Sequence, residues 1–179
     1  MKFNTKEDLA RYTIEYYLKN NKSPSVSEGE VADNLKPKAA CFITVYIGDD
    51  LRGCLGDIVP YQPLYENIIK NSVNAITVDF RFLPIQVREL PKLKVEVSVL
   101  TVPDEYRPKD SGELLKYLEK EKPGLIIEKG GNRALFLPQV WDELPNAKDF
   151  LSHLCLKANL PIDSWWEFGI SFFVFNLTQ

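Results

Sequence analysis

The chain has 179 residues and a mass of 20.5 kDa, about one domain at the usual ~100–200 residues per domain. Its 45% hydrophobic and 26% charged residues exclude a disordered tail protein, a collagen and a coiled coil. The 25 acidic and 22 basic residues give a net charge of −3, which argues against a nucleic-acid binder. The sequence contains neither a long uncharged apolar window nor an N-terminal apolar signal segment. We therefore expect no membrane span and a cytoplasmic protein.

Cysteine and histidine content narrows the possible chemistry. Three cysteines, an odd number, argue against a disulfide framework in a reducing compartment. A single histidine, His153, excludes His-rich zinc sites, two-His iron sites and histidine relays. The sequence also has no CxxC pair, GxGxxG, P-loop or GxSxG motif. We therefore predict no metal and no cofactor.

The predicted elements mix helices with hairpins. A first helix is capped by Thr5 and ends by Asn21, and the polar, aperiodic residues 22–39 predict a surface loop or arm. The remaining elements are a hairpin (40–47 and 51–56), a helix (63–78), a strand (93–102), a helix (113–120), a hairpin (125–128 and 133–137), a helix capped by Asn146 and a strand (168–177). Without a regular βα alternation, this order predicts an α+β fold with a largely antiparallel sheet.

The first hairpin predicts which cysteines can meet. A three-residue turn places Cys54 opposite Thr44, and Cys41 opposite Asp57. The two cysteines are then offset by roughly 10 Å along the sheet, beyond the ~7 Å Cα separation that a disulfide allows. We therefore predict free thiols.

The segment Leu51–Gly56 is the densest unusual cluster. Arg52 and Cys54 share a face if the strand is regular, and a guanidinium beside a thiol favours the thiolate. Gly53 and Gly56 mark a bulge or a close approach to the backbone. In the alternative interpretation, the glycines only curve the hairpin and Cys54 packs as a small hydrophobic residue.

Three further features each have a functional and a structural interpretation. Asn67, Asn71 and Asn74 form an amide row, either a solvated helix face or a row directed at a ligand or strand edge. Within Asp79–Pro84, Arg81 would grip an anionic substrate while Asp79 orients it, or the segment is a loop with two buried phenylalanines and a local ion pair.

The third of these features is the helix that follows Asn146. His153 and Lys157 share a face of this helix, whereas Cys155 faces its apolar side, so we interpret Cys155 as a core residue. His153 would act as a base toward a distant thiol or serve a structural role.

Taken together and in order, five segments resemble the AMMECR domain family, named after a chromosomal region linked to Alport syndrome, midface hypoplasia and elliptocytosis. They are LRGCLG (51–56), DFRF (79–82), EL (89–90) leading into VEVSVL (95–100), FLPQVW (136–141) and LCLKA (154–158). The resemblance covers the chain from about Ala40 to the last strand. It implies a single domain over residues 1–179, in which a larger lobe with an antiparallel sheet flanked by helices packs against a smaller lobe, with a cleft between them.

The resemblance also implies candidate residues and partners. Its hallmark hexapeptide makes Cys54 and Arg52 the catalytic candidates, with Gly53, Gly56, Asp79, Arg81, His153 and Lys157 as substrate-binding candidates. Prokaryotic family members are often encoded beside a radical-SAM protein and a Memo-like protein resembling extradiol dioxygenases, which suggests a shared modification pathway. Three residues depart from the family pattern: Asp57, Phe80 and Asn159. A carboxylate at Asp57, if close, would oppose thiolate formation at Cys54.

Three functional hypotheses follow. The first is an enzyme, or its substrate-binding subunit, that uses Cys54 and Arg52 on an anionic or carbonyl-bearing small molecule or a modified polymer. The second is a non-catalytic adaptor within the radical-SAM assembly. The third is a nucleic-acid-binding module that uses the local basic run Arg81, Arg88, Lys92 and Lys94.

Overall fold

A computed structural model describes residues 2–178, with helices and two antiparallel sheets that confirm the α+β class. The elements are α1 (Lys6–Asn20), β1 (Ala40–Ile47), β2 (Asp50–Gly56), α2 (Leu64–Thr77), β3 (Leu93–Leu100), β4 (Asp104–Tyr106), α3 (Ser111–Glu121), β5 (Gly124–Lys129), β6 (Asn132–Phe136), α4 (Ala147–Lys157) and β7 (Ser171–Phe175). No helix within residues 2–178 has the length and apolar character needed to cross a membrane.

The chain divides into two compact units. One runs to Val102 and also takes in Thr178, and the other spans Pro103–Leu177. Each unit has its own buried apolar core.

The first unit is a three-stranded sheet of order β2-β1-β3 that packs against α1 and α2. Side chains alternate between the two faces of a strand, so Ile43 and Val45 lie on one face of β1 and are fully buried. Their partners on β3, Val97 and Val95, lie on the same face and join the same core. Thr44 therefore lies on the opposite face of β1.

Helix α1 has the ends that the sequence predicts. The Thr5 side chain accepts a hydrogen bond from the backbone N–H of Asp8, and Asn21 ends the helix with φ = 53°. Asparagine tolerates this left-handed conformation better than most residues, which explains why the helix ends there.

Residues 22–39 contain no α-helix or long strand, as expected of a loop, but they are anchored in the core. They include two short 3₁₀ helices, Glu28–Glu30 and Asp33–Leu35. Val31 and Leu35 are buried, and Val31 pairs with Phe3 in a parallel bridge. The apolar residues of this segment are scattered without a helical or alternating period, so the sequence gives no pattern that predicts this anchoring.

The second unit is a four-stranded sheet of order β4-β7-β5-β6 with α3 and α4. In its core, the rings of Trp141 and Phe150 stack with centroids 3.9 Å apart. The Trp141 indole N–H also donates to the carbonyl of Pro123 at 2.9 Å. Helix α4 is capped by Asn146, as predicted, and Asn159 follows it with φ = 57°. The three-residue strand β4 was not predicted, because it is too short to show alternation.

The end of the chain returns to the first unit. The backbone N–H of Thr178 donates to the carbonyl of Val99 on β3 at 2.8 Å. The second unit is therefore inserted between β3 and the residue that bonds to it.

Candidate functional site

The candidate site is built on the β1–β2 hairpin. Its turn has two residues, Gly48 and Asp49, rather than the predicted three, but a bulge in β2 compensates for the difference, so the predicted register at Cys54 is confirmed. Thr44 lies opposite Cys54, and the backbone N–H of Asp57 donates to the carbonyl of Cys41 at 3.1 Å. The Cys54 Sγ lies 3.4 Å from the Thr44 Oγ1. All three cysteines are free thiols, as predicted. Cys155 is buried, as predicted, Cys41 is also buried, and Cys54 is half-buried.

A bulge interrupts β2 at Arg52. The register passes from Val45 opposite Gly53 to Tyr46 opposite Leu51, which leaves Arg52 without a partner residue on β1. The regular alternation that would place Arg52 beside the Cys54 thiol therefore does not hold. The Arg52 guanidinium instead binds the carboxylate of Glu89 and donates to the carbonyl of Leu83 at 3.2 Å.

The two glycines of the hexapeptide are required by close packing. A Cβ atom at Gly53 would lie 2.0 Å from the backbone oxygen of Ala75 on α2. A Cβ atom at Gly56 would lie 2.3 Å from the backbone oxygen of Cys41. These contacts match the expectation that strand glycines mark a close approach to the backbone.

Asp79 and Arg81 together bind the backbone of Cys54. Because β2 is an edge strand, the N–H and C=O of Cys54 on its outer side have no strand partner. The Asp79 Oδ2 accepts the Cys54 N–H at 2.9 Å, and the Arg81 Nη2 donates to the Cys54 carbonyl at 3.1 Å. Arg81 also binds Asp79 in fork geometry, with Nε–Oδ1 at 2.8 Å and Nη2–Oδ2 at 2.7 Å. We call this arrangement of Asp79, Arg81 and the Cys54 backbone the clamp.

The electrostatics of the clamp keep Asp79 ionised. The hydrogen bonds from the Arg81 side chain lower the pKa of Asp79 most, and the backbone N–H of Cys54 lowers it further, against the effect of burial. The Asp79 side chain is only 3% exposed, whereas that of Arg81 is 47% exposed. An anionic substrate at Arg81 would thus compete with a buried carboxylate that already occupies the guanidinium.

The segment around the clamp is a turn rather than an extended strand. The backbone N–H of Phe82 donates to the carbonyl of Asp79 at 3.1 Å. The interpretation with two buried phenylalanines is wrong, because Phe80 is 95% exposed and Phe82 is half-buried. The local ion pair in that interpretation is present between Asp79 and Arg81, and both side chains also bind the backbone of Cys54.

Glu89 was named in the sequence only as part of the family segment EL (89–90), and not as a candidate site residue. It lies in a short 3₁₀ helix, Val87–Lys92, where its carboxylate also accepts the backbone N–H of Gln86 at 2.9 Å. The hydrogen bond from Arg52 is the main cause of the lowered pKa of Glu89. Neither that family segment nor the capping pattern of Gln86 and Glu89 predicts a partner for Arg52, since a capping pattern indicates only a helix start.

Two of the three residues in the amide row are buried and Asn74 is half-buried, which corrects the interpretation of the row as a solvated face. Asn67 and Asn71 are 0% and 2% exposed. The Asn67 Oδ1 accepts the backbone N–H of Cys41 at 3.0 Å, at the beginning of β1, and its Nδ2 donates to Asp57 at 2.8 Å. The row therefore meets a strand, as the alternative interpretation proposed.

Asp57 acts on this amide network rather than standing free beside Cys54. Burial alone would raise the pKa of Asp57, but hydrogen bonds from Asn71, Lys70 and Tyr61 outweigh it and lower the pKa. Burial, with the charge of Asp57 as a smaller cause, raises the pKa of the Cys41 thiol to about 12. The sequence suggested that the Asp57 carboxylate would oppose thiolate formation at Cys54. In the structure, this carboxylate helps to raise the pKa of the buried Cys41 thiol.

His153 and Lys157 lie in the second unit, on α4. The His153 Nδ1 is 2.8 Å from the carbonyl of Asp149, and the side chain is exposed. The Lys157 ammonium donates to the carbonyl of Leu135 at 3.0 Å and lies 5.1 Å from the centre of the Phe136 ring.

Six of the eight candidate residues lie together on or beside the β1–β2 hairpin. Gly53, Cys54 and Gly56 lie on β2, Arg52 lies at the bulge of this strand, and Asp79 and Arg81 bind its outer edge. Their roles in binding or catalysis stay predictions.

Two other predictions concern metals and nucleic acid. Within residues 2–178, no group of three His, Cys, Asp or Glu side chains could hold a metal ion.

The predicted basic run is partly paired with acidic side chains. Two of its four cations bind carboxylates, Arg81 that of Asp79 and Lys94 that of Asp49. Such pairing leaves less positive charge for phosphate groups.

Comparison with known proteins decides the family. A statistical model of the AMMECR1 family matches residues 7–179, nearly the whole chain. The chain belongs to the AMMECR1 family. This result confirms the family that the five ordered segments indicated. The hexapeptide and the clamp residues both lie within the matched range.

Archaeal proteins of similar length resemble this AMMECR1-family protein throughout. Protein MK0488 of Methanopyrus kandleri is 37% identical over 176 residues, covering 94% of this chain and 82% of its own. Protein MJ0810 of Methanocaldococcus jannaschii is 39% identical over 174 residues, covering 93% and 83%. The crystal structure of uncharacterized protein PH0010 from Pyrococcus horikoshii has 34% identity and a TM-score of 0.88, covering 96% of this chain and 87% of that one.

Proposed function

We propose that this AMMECR1-family protein binds a substrate, a small molecule or a modified polymer, at the surface around Cys54. It would act as an enzyme, or as the substrate-binding component, in a modification pathway with a radical-SAM protein and a Memo-like protein. The observation that carries the proposal is the clamp, which fixes both polar backbone groups of Cys54 while the residue stays half-buried. A thiol held in a defined position is suited to nucleophilic attack or substrate binding.

The charges around Cys54 favour a carbonyl-bearing substrate over a strongly anionic one. Arg52 is paired with Glu89, and Arg81 with Asp79. An anion would have to displace one of these carboxylates, whereas a carbonyl oxygen needs only a donor. The hydroxyl of Thr44, 3.4 Å from the Cys54 Sγ, is a donor of this kind.

Selective alkylation tests the proposal at the thiol. Native protein is treated briefly with iodoacetamide and the labelled peptides are quantified by mass spectrometry. We expect Cys54 to be labelled well before Cys41 and Cys155, which are buried. Labelling of all three thiols at one rate, and only after denaturation, would contradict an accessible site.

A second experiment tests function in the cell. A strain lacking the gene is complemented with wild type, Cys54→Ala or Glu119→Gln, an exposed helix residue of the second unit that serves as the matched control. Untargeted mass spectrometry then compares small molecules and modified polymers. We expect Cys54→Ala to reproduce the deletion profile and Glu119→Gln to restore the wild-type profile. Full restoration by Cys54→Ala would contradict a role for the thiol.

An adaptor role is the second candidate, and exposed apolar side chains beside the clamp favour it. Phe80 and Leu83 are 95% and 80% exposed, and exposed apolar groups of this kind often mark protein interfaces. Copurification with the radical-SAM protein distinguishes the two candidates. Loss of binding in Phe80→Ser/Leu83→Ser, together with full cellular function of Cys54→Ala, would favour the adaptor. Retained binding in the double variant would contradict it.

A further inference from the structure

The second unit contains a cavity that the proposed function does not use. Its volume is about 650 Å³, within the range of small-molecule sites. Strands β4 and β7 pair as far as Tyr106 and Phe172, and the cavity lies where the chain leaves this pair, along residues 105–111 and 165–172, with Leu114 of α3. All residues that line the cavity belong to the second unit.

The inner wall of this cavity is apolar. Leu114, Trp165 and Phe172 line it and are almost completely buried, and Tyr106 and Ile170 line it and are half-buried. A polar group placed against such a wall loses its contacts with water without gaining a partner, which costs free energy. The part of a ligand that enters the cavity must therefore be apolar.

Two large aromatic side chains of the lining are exposed to water. Trp166 and Phe168 are 57% and 103% exposed. Single exposed apolar side chains are normal on protein surfaces, but two large ones that line an apolar cavity indicate a binding surface. A ligand that covers both rings removes their apolar area from water, which stabilises the complex.

Neighbouring rings hold the aromatic walls in position. The exposed ring of Trp166 contacts the buried ring of Trp165, with centroids 4.7 Å apart and planes inclined by 69°. Tyr106 stacks on Tyr117, with centroids 4.2 Å apart and planes inclined by 18°. Because these rings are already in contact before a ligand arrives, binding loses little side-chain entropy.

The charges around the cavity are balanced. The charged side chains of the lining are three acidic and two basic: Glu105, Asp110 and Glu167, and Arg107 and Lys109. Glu105 pairs with Arg107 at 2.6 Å, and Glu167 binds Lys129, a further cation outside the lining. With Lys129 included, three carboxylates stand against three cations. The surroundings of the cavity therefore give no preference for an ionic ligand of either sign.

We propose that this cavity binds an uncharged compound with a flat aromatic ring, which lies against the apolar wall and contacts Trp166 and Phe168. The proposal is independent of the surface around Cys54, because it uses only residues of the second unit. A charged group gains no net attraction from the balanced lining. A bulky saturated compound buries apolar area but cannot stack on the aromatic rings.

Isothermal titration calorimetry with 2-naphthalenemethanol tests the proposal on the full-length protein. Decahydro-2-naphthalenemethanol, which has the same carbon skeleton and hydroxyl group but is not flat, should bind at least about threefold more weakly because it lacks aromatic stacking. The charged analogues 2-naphthoate and 2-naphthylmethylammonium should bind no more tightly than the alcohol. Absence of alcohol binding at millimolar concentration, equal affinity for the saturated compound, or tighter binding of either ion would overturn the proposal.

The indole N–H signals in a nitrogen-15 NMR spectrum show where the alcohol binds. The chain has three tryptophans, and Trp141, in the core of the same unit, is not part of the lining. We expect the Trp166 signal, assigned with Trp166→Ala, to shift during the titration while the Trp141 signal stays in place. An unmoved Trp166 signal, or an equal shift of Trp141, would contradict binding in this cavity.

Variants at the two exposed rings complete the test. Trp166→Ala and Phe168→Ala should each weaken binding of the alcohol at least about threefold, and neither removes a buried side chain. Leu156→Ala is the control, since Leu156 is an apolar residue of the same unit that is 53% exposed and lies outside the lining. It should bind the alcohol as wild type does. Wild-type affinity in both Trp166→Ala and Phe168→Ala would overturn the proposal.

Discussion

The carboxylate of Asp79 accepts the backbone N–H of Cys54 across 25 residues of sequence, at 2.9 Å. Through this bond, a residue that follows helix α2 determines the position of the edge strand that carries the hallmark cysteine. Arg81 completes the contact from the other side, by donating to the Cys54 carbonyl. In this chain, the segment Asp79–Arg81 is thus part of the structure that holds the segment Arg52–Cys54.

Asp79→Asn should destabilise the protein by about 1–3 kcal/mol, because the amide cannot accept the Arg81 fork as an ion. The free energy of unfolding in urea measures the effect. Asp49→Asn is the matched control: Asp49 also pairs with a cation, but its side chain is 98% exposed, so no measurable change in the free energy of unfolding is expected. Equal effects of the two substitutions would contradict a structural role for the clamp.

Gly53→Ala should cost roughly 3 kcal/mol or more, because the added methyl group would meet the backbone oxygen of Ala75 at 2.0 Å, and a helix backbone yields less easily than a side chain. Thermal and urea unfolding report the loss. Gly29→Ala provides the comparison, since nothing lies within 4 Å of its Cβ position, and it should be neutral or slightly stabilising. A wild-type midpoint for Gly53→Ala would mean that α2 and β2 are not packed this closely.

Acid should weaken the fold through Asp57 and Asp79, whose pKa values are both lowered in the folded protein. Their contribution to stability is present above the unfolded pKa, about 3.9, and is lost as the pH falls below it toward the folded pKa values. Urea unfolding between pH 2.5 and about pH 6 measures the slope. Asp57→Asn should flatten the acid limb, and adding Asp79→Asn should flatten it further. An unchanged slope in the double variant would contradict the assignment.

Alkali should weaken the fold through Cys41. Its pKa is raised from 9.0 to about 12, so the unfolded chain loses this proton while the folded protein keeps it. Stability from this group is complete below pH 9 and falls by about 1.4 kcal/mol per pH unit above it, until the folded thiol also ionises. Comparing wild type with Cys41→Ala at pH 8 and about pH 10 isolates the effect, because the lysines and tyrosines are common to both. Parallel pH profiles for the two proteins would refute it.

Local patterns predicted much of the fold. The caps at Thr5 and Asn146 depend on residues close in sequence, and the structure confirms them. The register of Thr44 opposite Cys54 is also confirmed, although a two-residue turn and a bulge produce it rather than the predicted three-residue turn. Alternation likewise predicted the buried face of β3. Strand β4 was not predicted, and the last strand was predicted over residues 168–177 although β7 spans only Ser171–Phe175. In both cases, pairing with other strands sets the limits of the strand.

Part of the membership of the candidate site was predictable from the sequence, but its contacts were not. The hexapeptide and the Asp79–Arg81 segment could be identified from the sequence, but their meeting depends on the path of α2 between them. Arg52, which pairs with Glu89, is the extra residue of a bulge in β2. The sequence has no distinctive pattern that predicts this bulge. Burial of Asn67 and Asn71 follows from a strand end that packs against the helix, so polarity alone gave the wrong face.

The bond from Thr178 to Val99 joins residues 79 positions apart, with the whole second unit between them. On the ribosome, β3 emerges long before its partner at Thr178 is synthesised. The first unit can therefore form its sheet early but gains this contact only after residues 103–177 have been translated. Translation order thus makes this edge of β3 the last part of the first unit to be completed.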